Sequence, residues 1–159
     1  MIRPALCVVA LGASTGAAAQ LAPNFDSDAP IDITGERLEV VDDVATWTGA
    51  VRAVQGEAVL SADRLIADLD EDGAFKKIRA AGNVRYSNGE DAIAGRIGVY
   101  DAARRTIKVT HDVVVTQGEQ VMTGGELIYW IDSGRLVFTA PEGRRIRGIF
   151  YPKRSGETS

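Results

Sequence analysis

The 159-residue chain has one cysteine, Cys7, and it lies inside an N-terminal segment that reads as a secretory signal. Once that segment is removed, disulfides, thiolate metal sites and cysteine nucleophiles are excluded. The single histidine, His111, has no second histidine to share a metal or a catalytic proton with. Aromatic residues make up only 6%, so a core must rest on Val, Ile, Leu and Ala. The net charge is −4, which is the wrong sign for a phosphate-binding surface and argues against a nucleic-acid partner. Neither a G-x-S-x-G elbow nor a P-loop occurs. The adjacent carboxylates Asp42-Asp43 and Glu90-Asp91 fall at turn positions, so the paired-acid chemistry of a polysaccharide hydrolase or lyase has no candidate pair. No catalytic residue, metal ligand or cofactor is expected.

The first residues supply what the later chain lacks. Arg3 gives a positive start, Ala5 to Ala13 form a short apolar stretch, and Ala17, Ala18 and Ala19 offer an A-x-A site. A membrane span needs roughly 20 apolar residues, and this stretch is far shorter and follows Pro4. Residues 1–19 are therefore read as a signal peptide cleaved between Ala19 and Gln20, which sends the protein to an exported compartment. Residues 20–30, with Pro23, Asn24, Asp26, Ser27, Asp28 and Pro30, form a flexible lead-in. Residues 31–151 form one domain, and 152–159 a disordered tail.

From Ile31 to Tyr151 apolar residues recur with the period of a strand, not of a helix. Leu38 and Val40 alternate with Arg37 and Glu39. Leu65, Ala67 and Leu69 alternate with Arg64, Ile66 and Asp68. Ile78 and Ala80 follow, then Val84 and Tyr86 around Arg85. Ile97 and Val99, Ile107 and Val109, Val113 and Val115 continue the pattern, and Leu127, Tyr129 and Ile131, then Leu136 and Phe138, complete it. Successive strand side chains point to opposite faces, so these residues, with Trp47 and Val51, are the inward candidates. Turn signals separate the runs at Asp42-Asp43, Asp70-Glu71-Asp72-Gly73, Asn88-Gly89, Asp101-Ala102, Gln117-Gly118 and Asp132-Ser133-Gly134. The pattern predicts an all-β sandwich, jelly roll or open barrel.

The runs also repeat. G-E-R-L-E-V from Gly35, A-D-R-L-I-A from Ala62, G-R-I-G-V-Y from Gly95 and G-E-L-I-Y-W from Gly125 share one pattern. A second set of landmarks follows them: G-A-V at Gly49, G-N-V at Gly82, H-D-V at His111 and, weakly, P-E-G at Pro141. Both sets recur at roughly 30 residues, a spacing typical of stacked repeats that share one core. A unit of that size is expected to hold about four short strands.

These repeats resemble the LptA/OstA family of periplasmic lipopolysaccharide-transport proteins. The likeness is carried by A-D-R-L-I-A-D-L from Ala62, A-A-G-N-V-R-Y from Ala80, the G-x-x-x-x-Y-D of Gly95 to Asp101, and P-I-D-I-T-G-E-R-L-E-V from Pro30. It runs from about Pro30 to Tyr151, departing at H-D-V and in the last repeat. The resemblance implies an all-β fold, a twisted jelly roll of antiparallel strands built from about four repeats and open at its ends. It implies a groove for the acyl chains of lipopolysaccharide, with Leu38, Val40, Leu65, Leu69, Ile78, Val84, Tyr86, Ile97, Val99, Ile107, Val113, Val115, Leu127, Tyr129, Ile131 and Phe138 as candidates to line it. It further implies a periplasmic location, end-to-end self-association, and LptC-like and LptD-like jelly-roll partners in a bridge between the two membranes. The strands from Ile31 to Val41 and from Arg145 to Tyr151 are the expected edges.

Three other features have simpler readings. Asp68, Asp70, Asp72 and Gly73 spell the opening of a calcium loop, but the twelfth position is Arg79 where a glutamate is needed, so the segment is an acidic hairpin turn. His111 reads as a strand or turn residue. The basic group Arg144, Arg145, Arg147, Lys153 and Arg154 suits either lipid phosphates or an acidic partner, or charged protection of an edge strand. Two other identities remain open: an LptC-like tethered component, and a lipid-independent β-scaffold of the cell envelope.

Overall fold

The computed structural model describes residues 29–89 and 91–151. The segments read from the sequence as signal peptide and tail lie outside the described residues, as does most of the segment read as a lead-in. Among the described residues ten antiparallel strands form one sheet: β1 (Asp32–Thr34), β2 (Arg37–Val41), β3 (Val44–Gln55), β4 (Ala58–Leu69), β5 (Phe75–Asn88), β6 (Asp91–Asp101), β7 (Thr106–Gln117), β8 (Gln120–Trp130), β9 (Arg135–Thr139) and β10 (Arg147–Ile149). From β3 to β8 each strand pairs with the next in sequence, as hairpins require. β1 and β2 both pair with β3, and β9 and β10 both pair with β8. The chain therefore climbs through eight rungs, of which the first and last are split in two.

Each repeat holds two long strands of 11 to 14 residues, not four short ones. What divides them is a corner. Register shifts fall between Thr48 and Val51, Ala81 and Val84, and Thr110 and Val113, each setting two residues of the odd-numbered strand opposite one of its partner. Such an insertion bends a strand and sharpens its twist. The two-residue sides of these bulges are Gly49-Ala50, Gly82-Asn83 and His111-Asp112, all six residues with positive φ. These are the G-A, G-N and H-D landmarks, so the repeat spacing is the spacing of corners. Glycine is favoured there because a Cβ is penalised in this backbone region. At Gly82 the penalty is doubled, since an added Cβ would run into the Asp63 side chain, whose Oδ2 accepts a hydrogen bond from Asn83 Nδ2 at 3.0 Å.

The third corner manages without glycine. His111 has φ 66° and Asp112 φ 53°, with Asp112 held by Arg96 at 2.6 Å and His111 Nδ1 3.0 Å from Thr110 Oγ1. A non-glycine residue in this region costs about 1 kcal/mol. His111→Gly is expected to stabilise the protein by about that much, read as a higher urea midpoint. An unchanged or lower midpoint would mean that the Thr110 contact outweighs the strain.

The corners fold the sheet into two facing half-sheets. The first holds β2, the starts of β3, β5 and β7, the ends of β4, β6 and β8, and β9. The second holds β1, the other halves of those strands, and β10. This is the antiparallel jelly roll that the sequence predicts. Turn chemistry closes the hairpins. Asp42 and Asp43, φ 46° and 61°, make the two-residue turn between β2 and β3. Asp70 Oδ1 accepts the N–H groups of Asp72 and Ala74, so the calcium-loop look-alike is a side-chain-capped hairpin turn.

Candidate functional site

Cross-strand pairing arranges the inward side chains in rows. One row runs from edge to edge of the first half-sheet: Leu38, Trp47, Leu65, Ala80, Gly98, Val109, Leu127 and Phe138. The next runs parallel to it: Val40, Ala45, Ala67, Ile78, Tyr100, Ile107, Tyr129 and Leu136. Facing them on the second half-sheet are Ile33, Ala53, Leu60, Tyr86, Ile93, Val115, Met122 and Gly148. Apart from the phenol and indole groups, nothing polar lies on these three rows, and no polar or charged residue is buried among the described residues.

The rows are not evenly filled. One cluster of buried residues gathers around Val113, Val115, Leu127 and Tyr129, a second around Val51, Leu65, Ala67 and Ile78, and a third around Ala62, Ala80 and Val84. Close packing normally merges such clusters into one core. Here the row dips to Ala80 and Gly98 at mid-domain. A cavity of about 100 Å³ opens over that dip, lined on one side by Leu65, Ile78, Ala80 and Gly98 and on the other by Ile33, Leu60, Val84, Tyr86 and Ile93. Gln55, Ala58 and Phe75, which also line it, sit at hairpin ends of the two half-sheets, so the hollow lies toward the open side of the fold. Water gains little in so apolar a space, whereas hydrocarbon fits it.

The electrostatics agree. Tyr86 is pushed up to about 12, first by burial and then by the Asp91 carboxylate, and burial also pushes Tyr129 upward. Both phenols stay neutral, so the interior carries no formal charge at ordinary pH. Charges are kept outside, where Arg79 meets Asp68 at 3.0 Å and Lys108 meets Glu126 at 2.8 Å across neighbouring strands.

Most of the sixteen candidates face inward. Leu65, Ile78, Val84, Ile107, Val113, Val115, Leu127 and Tyr129 are buried there, with Tyr86, Leu69, Ile131 and Phe138 partly covered. Leu38 and Val40 lie on the inward rows yet are 53% and 60% exposed, because no strand covers the β2 edge. Ile97 and Val99 need correction. Register pairs Ile97 with Ala81 and Thr110, and Val99 with Arg79 and Lys108, which puts both side chains on the outer face, although Val99 borders the cavity. Only the cavity members among the sixteen are brought together around the hollow: Leu65, Ile78, Val84, Tyr86, Ile107 and, at its border, Val99. Among the inward residues that alternation passed over are Ile33, Leu60, Ile93, Gly98, Tyr100 and Met122. Ile93 and Leu60 sit in strand halves too short to show a period, and a glycine carries no apolar signal.

At both ends the interior meets a strand whose outer edge has no partner among the described residues. The β2 edge exposes Leu38, Val40 and Val41, and the other end exposes Ile146, Ile149, Phe150 and Tyr151. The fold and the site thus define a class of antiparallel jelly rolls with an apolar interior and two open edges. A family model described as LptA/(LptD N-terminal domain) LPS transport protein matches residues 32–135. The chain belongs to that family, which is one of transport proteins. Among solved structures, it is similar to LptH of Pseudomonas aeruginosa, described as the LptA-homologous periplasmic component of the conserved lipopolysaccharide transport device. The TM-score is 0.67 at 18% identity, over 78% of this chain and 96% of that one. No curated protein matches.

Proposed function

We propose that this protein is a periplasmic, non-enzymatic carrier that holds the acyl chains of lipopolysaccharide between its half-sheets and stacks end to end with related jelly rolls, LptC-like and LptD-like domains included. The observation that carries the reading is the hollow over Ala80 and Gly98, an apolar space within rows that run from one open edge to the other. Each buried methylene contributes about 0.8 kcal/mol, so a lipid chain needs no polar anchor there.

The rung count supports stacking. β1–β2 runs from the second half-sheet to the first, and β9–β10 runs back from the first to the second. A following domain that sets its β1–β2 beside this β9–β10 therefore continues the antiparallel alternation. The segments also match in length, with five residues in β2 and β9 and three in β1 and β10. Backbone hydrogen bonds of the added strand supply the affinity.

The test is photo-crosslinking in cells. A photoreactive side chain at Val84, Ile107 or Tyr129 should give lipopolysaccharide adducts. At the outward positions Arg85 and Lys108 it should give none. Folded, exported protein with no adduct at any inward position would favour the lipid-independent scaffold.

A further inference from the structure

Resting on the stacking just described, we propose that charge sets the direction of assembly: the acidic β1–β2 edge of one copy docks on the basic β9–β10 edge of the next. Residues 31–43 carry five carboxylates, Asp32, Glu36, Glu39, Asp42 and Asp43, against Arg37 alone, a net of −4. Residues 135–151 carry Arg135, Arg144, Arg145 and Arg147 against Glu142 alone, a net of +3. All of these side chains are exposed. Elsewhere on the first half-sheet, opposite charges alternate across neighbouring strands and pair locally. At the β2 edge Arg37 is taken up by Glu39 at 2.9 Å, which leaves the remaining carboxylates of that edge without a basic neighbour on β2.

Position matches as well as sign. β2 runs outward from the corner at Glu36 to the hairpin end at Asp42-Asp43, whereas β9 runs inward from the hairpin end at Arg135 to the corner segment holding Arg144 and Arg145. Antiparallel pairing of β9 with the next β2 brings Arg135 toward Asp42-Asp43, and Arg144 and Arg145 toward Glu36. The apolar rows join at the same step, since Leu136 and Phe138 end the rows that Val40 and Leu38 begin.

Backbone hydrogen bonds alone do not forbid pairing of like edges. Two β2 edges face to face would oppose like charges, which disfavours that pairing relative to the mixed one. Such pairing would also reverse one domain, so that its half-sheets no longer continue those of its neighbour. Exposed charge is screened over about 8 Å at physiological salt, so its main effect is on encounter and orientation.

The experiment is sedimentation velocity of the mature chain over a range of concentration and salt. Assembly should weaken roughly tenfold between 0.05 M and 0.5 M salt. Arg144→Glu/Arg145→Glu should remove it at low salt, and so should Glu36→Lys, with the β-type circular dichroism retained in both. Mixing the two variants should restore assemblies longer than a pair, because the reversed edges then fit one another. The edges left unaltered in each variant allow pairs alone, so a mixture that stops at pairs would mean that the substitutions damage their edges and that charge is not the key. If assembly ignores salt and all reversals, the charge key is wrong and strand stacking stands. If the unaltered protein never assembles, both fail.

Discussion

Gly98→Leu is expected to weaken lipid binding roughly a hundredfold while leaving the jelly roll folded. Gly98 faces inward at the floor of the hollow, between Ala80 and Val109 on the central row. Its φ is not positive, so no backbone strain opposes a side chain there. A Cβ at this position would stand 3.3 Å from Val84 Cγ1 and 3.9 Å from Ala80 Cβ, tight on one side by only a few tenths of an ångström. The rest of a leucine side chain would enter the cavity, whose volume of about 100 Å³ can receive it. It would displace about four methylenes of a bound chain, worth about 3 kcal/mol, or roughly a hundredfold in affinity. Stability should change far less, because filling a hollow offsets the mild overpacking against Val84. Lipid uptake followed by native mass spectrometry, with thermal melts alongside, reads both effects. Gly98→Ala should lie between wild type and leucine. Wild-type uptake by a folded Gly98→Leu protein would mean that the lipid binds elsewhere.

The corners and the rows were unequally legible in the sequence. Gly49-Ala50 and Gly82-Asn83 announce their corners, because a positive φ selects residues that accept it. His111-Asp112 occupies the same place with neither glycine nor asparagine, and only its spacing from the others gave it away. Facing was readable wherever an apolar residue alternates with a charged one, as along Leu65 to Asp68. It failed in β6. There the register shift between Ala94 and Ile97 resets which side faces in, and the two bulky residues Ile97 and Val99 point outward beside Gly98 and Tyr100. Sequence patterning assigns the inside to bulk, and at the hollow the inside is a glycine. The same logic hid Ala45, a small residue whose burial shows only once the opposite half-sheet is in place, whereas alternation with charged neighbours did reach Ala67 and Ala80. The split first and last rungs were also hard to foresee. Alternation marked Leu136 and Phe138 as inward, but only pairing shows that β9 and β10 form one broken edge on β8.

Leu127→Ala is expected to destabilise the protein by about 2–5 kcal/mol, a large fraction of the 5–15 kcal/mol that ordinary domains possess. Leu127 is 0% exposed on β8, flanked by Val109 and Phe138 on the central row and packed within the largest cluster. Truncation leaves a void that antiparallel neighbours on both sides cannot close. Leu38 begins the very same row, yet at 53% exposure its replacement by alanine should shift the stability of the isolated chain by no more than about 0.5 kcal/mol. One row thus contains both a core position and an unburied one, and burial alone separates them. If the β2 edge is covered by the β9 of a preceding copy, Leu38 acquires the environment that Leu127 already has. Leu38→Ala should then be silent in urea unfolding at low protein concentration and costly where the chain is assembled, raising the concentration needed for assembly. Equal unfolding penalties for the two variants in dilute solution would contradict the open edge. A Leu38→Ala protein that assembles as readily as the unaltered chain would show that the row does not continue from one domain to the next.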